Sequence, residues 1–137
     1  MNEKGSYFWA GVRAELPLLI GVFPFGMIYG ALAINAGLSK ISSQMMSSIV
    51  FAGSAQFITT QLVKDSAPGF VIVLTIAVVN LRHMFYSASL APYLESLSMP
   101  WKTLLSYLLT DEAYAPSVIH YELDGVKPHS HWFLFGA

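Results

Sequence analysis

Two stretches of the chain, residues 16–39 and residues 41–63, contain no Asp, Glu, Lys or Arg. Each exceeds the roughly 20 residues that an α-helix needs to cross a hydrocarbon core of about 30 Å. Charged residues make up only 11% of the 137-residue chain, against roughly 25% in soluble domains. The first stretch runs past the roughly 7 to 15 apolar residues of a signal-peptide core, and the second follows it at once, so a cleaved leader does not explain them. The chain reads as an all-α, polytopic membrane protein forming a single transmembrane domain over residues 1–137.

Other classes fall away on composition. Seven basic and eight acidic residues are scattered, with no basic run carrying interleaved aromatics, so no nucleic-acid partner is expected. The absence of cysteine removes thiolate catalysis, thiolate zinc sites and disulfides together. His129 and His131, with His120 upstream, match none of the usual zinc spacings. No metal and no cofactor is expected. Serines tied to no His or Lys spacing, and no HExxH, argue against an intramembrane enzyme.

About four membrane segments are expected. Residues 1–15 hold Tyr7, Phe8 and Trp9 among four charges, which suits an interfacial lead-in. The first span covers residues 16–36, opening at Pro17 after Glu15, with a bend or short break expected near Pro24. The second, residues 42–63, is rich in Ser, Thr and Gln, too polar to face lipid all round, and a discontinuity is expected around Gly53 and Gln56. The third covers residues 69–90, between Pro68 and Pro92. The fourth, residues 103–119, carries Asp111 and Glu112 near its centre; it spans, re-enters or lies at a protein interface. Residues 120–131 read as a polar loop, and residues 132–137 as the beginning of a further span. There is no convincing sequence repeat, although discontinuous helices in pairs would suit the pattern.

Polar residues at membrane depth are the candidates for function. Pro24 and Gly26 expose backbone groups that a substrate can use, or they form a structural kink. The spacing of Gly26 and Gly30 serves close helix packing or a small substrate-accepting surface. Gln56 carries a donor and an acceptor for an α-amino or α-carboxyl group, with Ser54 and Thr59 beside it, or it joins two helices. Asn80, His83 and Ser87 share one helical face, and Arg82, Tyr86 and Ser89 the adjoining one. Arg82 can fork a carboxylate or snorkel to headgroups, and His83 can carry a proton near neutral pH. Asp111 and Glu112 are costly in hydrocarbon, which favours a cavity, protonation or pairing with Arg82. Phe23, Phe25, Met27, Phe51 and Phe57 are candidates for an apolar pocket.

In this order Leu16-Pro17, Gly21-Val22-Phe23-Pro24-Phe25-Gly26, Phe51-Ala52-Gly53-Ser54-Ala55-Gln56-Phe57, Asn80-Leu81-Arg82-His83 with Tyr86 and Ser87, and Asp111-Glu112 resemble the large subunit of the AzlC-type branched-chain amino acid exporters. The resemblance covers residues 11–121 and is specific as a combination. It implies a multi-pass protein of the cell inner membrane that exports branched-chain amino acids, working with a small AzlD-type multi-span membrane subunit, or as a homo-oligomer. Pro24, Gly26, Gln56, Asn80 and Arg82 would then serve substrate binding or gating, and His83, Asp111 and Glu112 proton coupling or ion pairing. Family members continue for several more spans, so the chain reads as an N-terminal portion of the exporter. The alternative is a subunit that transports nothing without a partner or a C-terminal half.

Overall fold

The computed structural model describes residues 3–137, and every regular element among them is helical. They are α1 (Glu3–Asn35), α2 (Lys40–Ile49), α3 (Gly53–Lys64), α4 (Gly69–Leu90), a 3-10 turn (Ala91–Leu94), α5 (Met99–Leu108), α6 (Asp111–Asp124) and α7 (His131–Gly136). Two stretches, Glu3–Asn35 and Gly69–Leu94, are long and apolar enough to cross a bilayer. The 33 residues of α1 reach about 50 Å at 1.5 Å each. The remaining segments come as pairs of short helices: α2 and α3 have 10 and 12 residues, α5 and α6 have 10 and 14. Each covers about half of a 30 Å core or a little more. A long helix followed by two short ones therefore occurs twice in the element order, although no sequence repeat announces it.

The third span lies where Pro68 and Pro92 predict it, at α4. Of the bend or short break expected near Pro24, the break does not form, and α1 runs through it. Proline removes one amide donor, but the ladder on either side of it holds, and neighbouring groups in a membrane tolerate the loss. The interruption expected in the second segment does form, at residues 50–52 between α2 and α3. α1 begins at Glu3, inside the expected interfacial lead-in, whose residues 1 and 2 lie outside the described residues. The expected polar loop is shorter than residues 120–131, because α6 continues to Asp124. Local chemistry sets several ends. Gly37, at φ 87°, closes α1 with its amide on the Ile34 carbonyl, a left-handed stop that glycine adopts at little cost. Ser39 opens α2, its hydroxyl accepting from the Ser42 amide at 3.1 Å.

The chain divides into two compact units, Gly21–Arg82 and, together, the residues up to Ile20 with His83–Ala137; the divisions fall inside α1 and α4. In the first unit, α1 packs on the short pair through Phe25 and Phe57, with ring centres 4.4 Å apart, and Tyr29 donates to the Ser43 carbonyl at 3.1 Å. In the second, Leu90, Leu105, Leu109, Tyr121 and Leu134 form the core, with Tyr93 stacked on Tyr121 at 5.2 Å. Here α7 docks by its backbone. A Cβ at Gly11 would fall on the Phe133 carbonyl, and one at Gly136 on the Phe8 carbonyl, so small residues permit the contact.

Beside the apolar core, several polar side chains are buried and large apolar ones are exposed. Gln56, Thr59, Thr60 and Ser43 are buried, while Ile20, Phe23, Phe70 and Phe85 are more than two-thirds exposed. Large apolar faces of this kind are unfavourable in water and favourable in lipid.

Candidate functional site

In the first unit the interruption between α2 and α3 gathers the polar groups. Met46 accepts the last α2 amide from Val50; Phe51 then turns into the left-handed region at φ 52°, and Ala52 is extended. A non-glycine residue in that region costs about 1 kcal/mol or more, so the surrounding packing enforces the break. Phe25 is part of that packing: a Cβ at Gly53 would sit 2.8 Å from its ring. The helix that follows starts without a side-chain cap, because Ala52 has no acceptor. Its first amides give the start of α3 a partial positive charge.

Arg82 reaches this end. Its Nη2 donates to the Ser54 hydroxyl at 2.7 Å. Two residues on, Gln56 is buried and donates from Nε2 to Ser47 at 2.8 Å, so its amide joins α3 to α2 and its side-chain carbonyl remains an acceptor there. Thr59 and Thr60 donate back to the Ala55 and Gln56 carbonyls at 2.8 Å. Asn80 lies half-buried on α4, two residues before Arg82. Pro24 and Gly26 flank Phe25, but both are exposed, and a Cβ at Gly26 or Gly30 would meet no described atom within 4 Å. Of the expected apolar pocket, Phe25 and Phe57 meet, whereas Phe23 and Met27 face outward, 71% and 58% exposed. A guanidinium and a helix N-terminus at one hydroxyl form an anion-receiving arrangement, suited above all to a carboxylate.

The second unit holds the titratable groups. His83 meets the Tyr86 ring edge-on at 5.8 Å, and Tyr86 stacks on Tyr114 of α6 at 4.2 Å. Tyr114 donates to Ser89 at 3.1 Å. Asp111 and Glu112 occupy the first turn of α6, whose N-cap Thr110 accepts from the Ala113 amide at 3.1 Å. Carboxylates there suit the positive end of the helix. Glu15, which the sequence marks only as a helix start, is 8% exposed, and its Oε2 is shielded and has no hydrogen-bond partner among the described residues. The sequence signal for it was an acid just inside a long apolar helix. His120 stacks on Phe133 at 4.0 Å and faces Asp124 at 3.1 Å. No group of three His, Cys, Asp or Glu suited to a metal occurs among the described residues.

Long apolar helices, interrupted polar ones and an outward apolar surface define an all-α polytopic membrane protein with a polar interior. The family model described as AzlC protein matches residues 17–137, and the chain belongs to the AzlC family of membrane transport proteins, which are not enzymes. Among curated relatives, the inner membrane protein YgaZ of Escherichia coli is 26% identical, over 93% of this chain and 52% of its own length. The branched-chain amino acid transport protein AzlC of Bacillus subtilis is 27% identical, over 98% of this chain and 53% of its own. An uncharacterized membrane protein of Archaeoglobus fulgidus is 29% identical, over 85% and 51%. The chain spans about half the length of these relatives. No solved structure matches it.

Proposed function

We propose that the chain is a secondary-transporter subunit that exports branched-chain amino acids across the cell inner membrane, coupled to protons, with about four membrane segments. The observation that carries the reading is Arg82 held at 2.7 Å from Ser54, on the uncapped start of α3. A substrate carboxylate entering there meets a guanidinium, a hydroxyl and helix amides at once. Gln56 and Asn80 offer acceptors for the ammonium group, and Pro24 and Gly26 hold Phe25 over the break as a gate. The printed name of the Bacillus relative supports the substrate class. His83, Asp111 and Glu112 are the proton-coupling groups in this reading, since acids and a histidine at membrane depth most often serve such relays.

A second reading is that transport requires another polypeptide, either a small AzlD-type membrane subunit or further segments. The half-length coverage of the relatives favours it. One experiment tests both. Efflux of valine, leucine and isoleucine is followed from dipeptide-loaded cells expressing the chain alone or with a small multi-span partner, at matched membrane levels. Efflux from the chain alone supports the first reading, and efflux only with the partner supports the second. Efflux in neither case removes the first reading and the small-subunit form of the second, and leaves the requirement for further segments. Replacing Arg82→Gln is expected to lower efflux at least tenfold with insertion unchanged; an unaffected rate sinks the role of Arg82.

A further inference from the structure

The second unit contains a cavity of about 590 Å³ that the carboxylate-receiving break does not use. Its walls include Leu90, Leu105, Leu109 and Leu134, the same side chains that form the core of that unit. Glu95, just after the 3-10 turn, and Lys102, in the first turn of α5, also line it. Among the described residues neither of these two side chains makes an ion pair or a side-chain hydrogen bond, not even with the other. The volume lies within the range of small-molecule sites, roughly 300 to 1,000 Å³, which are mostly apolar with a few placed polar groups.

We propose that this cavity is a second binding site for aliphatic α-amino acids, with Glu95 receiving the ammonium group, Lys102 the carboxylate, and the leucines the branched side chain. Charge complementarity selects this occupant. A plain hydrocarbon would leave both charges unused, and a simple anion or cation would satisfy one and be repelled by the other. The aliphatic zwitterion uses both charges and the leucine side chains that line the same cavity. The inference rests on the export reading for its substrate class, but it uses none of the residues at the break of α3.

Equilibrium dialysis of labelled L-leucine against the purified chain in detergent tests it, with bound phospholipid quantified in parallel. The double variant Glu95→Gln with Lys102→Met is expected to lose one bound leucine per chain, or to bind it at least tenfold more weakly. Lys102→Arg keeps the charge and retains binding; Arg82→Gln leaves this site occupied. Isovalerate and isoamylamine, each lacking one of the two charges, compete at least tenfold less well than leucine. Unchanged stoichiometry and affinity in the double variant, with a normal melting temperature, would overturn the cavity site and leave the export reading intact. Leucine binding that the double variant abolishes, in a chain that supports no efflux with or without a partner, would instead overturn the export reading and leave the site. A phospholipid that copurifies and is lost in the double variant, with leucine binding unaffected, would assign the cavity to lipid and overturn the proposal.

Discussion

The interruption between α2 and α3 and the one between α5 and α6 are built alike in the chain and finished differently. At the start of α6, Thr110 caps the helix and Asp111 and Glu112 supply negative charge within the first turn. That N-terminus is completed by its own sequence. At the start of α3, Ala52 supplies no acceptor, the first turn holds no acid, and Arg82 adds a positive group through Ser54. The two helix starts differ in what supplies the charge: acids of the helix's own first turn at α6, a guanidinium from α4 at α3. The start of α6 is a joint; in the export reading the start of α3 is where the substrate carboxylate is received.

Reversing that difference has the largest expected effect. Ala52→Asp gives α3 an internal carboxylate cap that competes with substrate, and efflux is expected to fall at least tenfold; Ala52→Asn, of the same shape without the charge, should fall less. Equal losses in the two, at matched membrane levels, would erase the distinction between the breaks. Gly53→Ala pushes a methyl group against the Phe25 ring, an overpacking cost of about 1–3 kcal/mol. Thermal unfolding in detergent reads it, and an unchanged midpoint would mean that Phe25 does not hold the break. Thr110→Ala removes the cap of α6 and is expected to cost about 1 kcal/mol without altering substrate selectivity; a changed selectivity would make that break a receptor too.

The sequence made α4 legible because proline bounds it on both sides, and it made the α2–α3 interruption legible because Gly53 stands in a helix too polar for lipid. It pointed to Arg82 and Gln56 through their cost in hydrocarbon. At Pro24 the break alternative did not hold, since proline signals a break in water more strongly than inside a packed membrane helix. The start of α6 was readable in principle, with Thr110 before two acids forming an N-cap pattern, but hydropathy averaged across it. Glu15, Gly11 and Gly136 depend on contacts between residues far apart in sequence, which no local pattern encodes.

The backbone contacts of Gly11 with Phe133 and of Gly136 with Phe8 also set a timetable. Residues 21–82 are contiguous and can assemble as soon as they leave the ribosome. Residues up to 20 must wait for residues 133–137, because the surface that Gly11 packs against is synthesised more than a hundred residues later. At roughly 5–20 residues per second that delay is on the order of ten seconds. During it, the helix carrying Glu15 stands without α7, and insertion machinery or nearby water has to accommodate an acid that hydrocarbon disfavours.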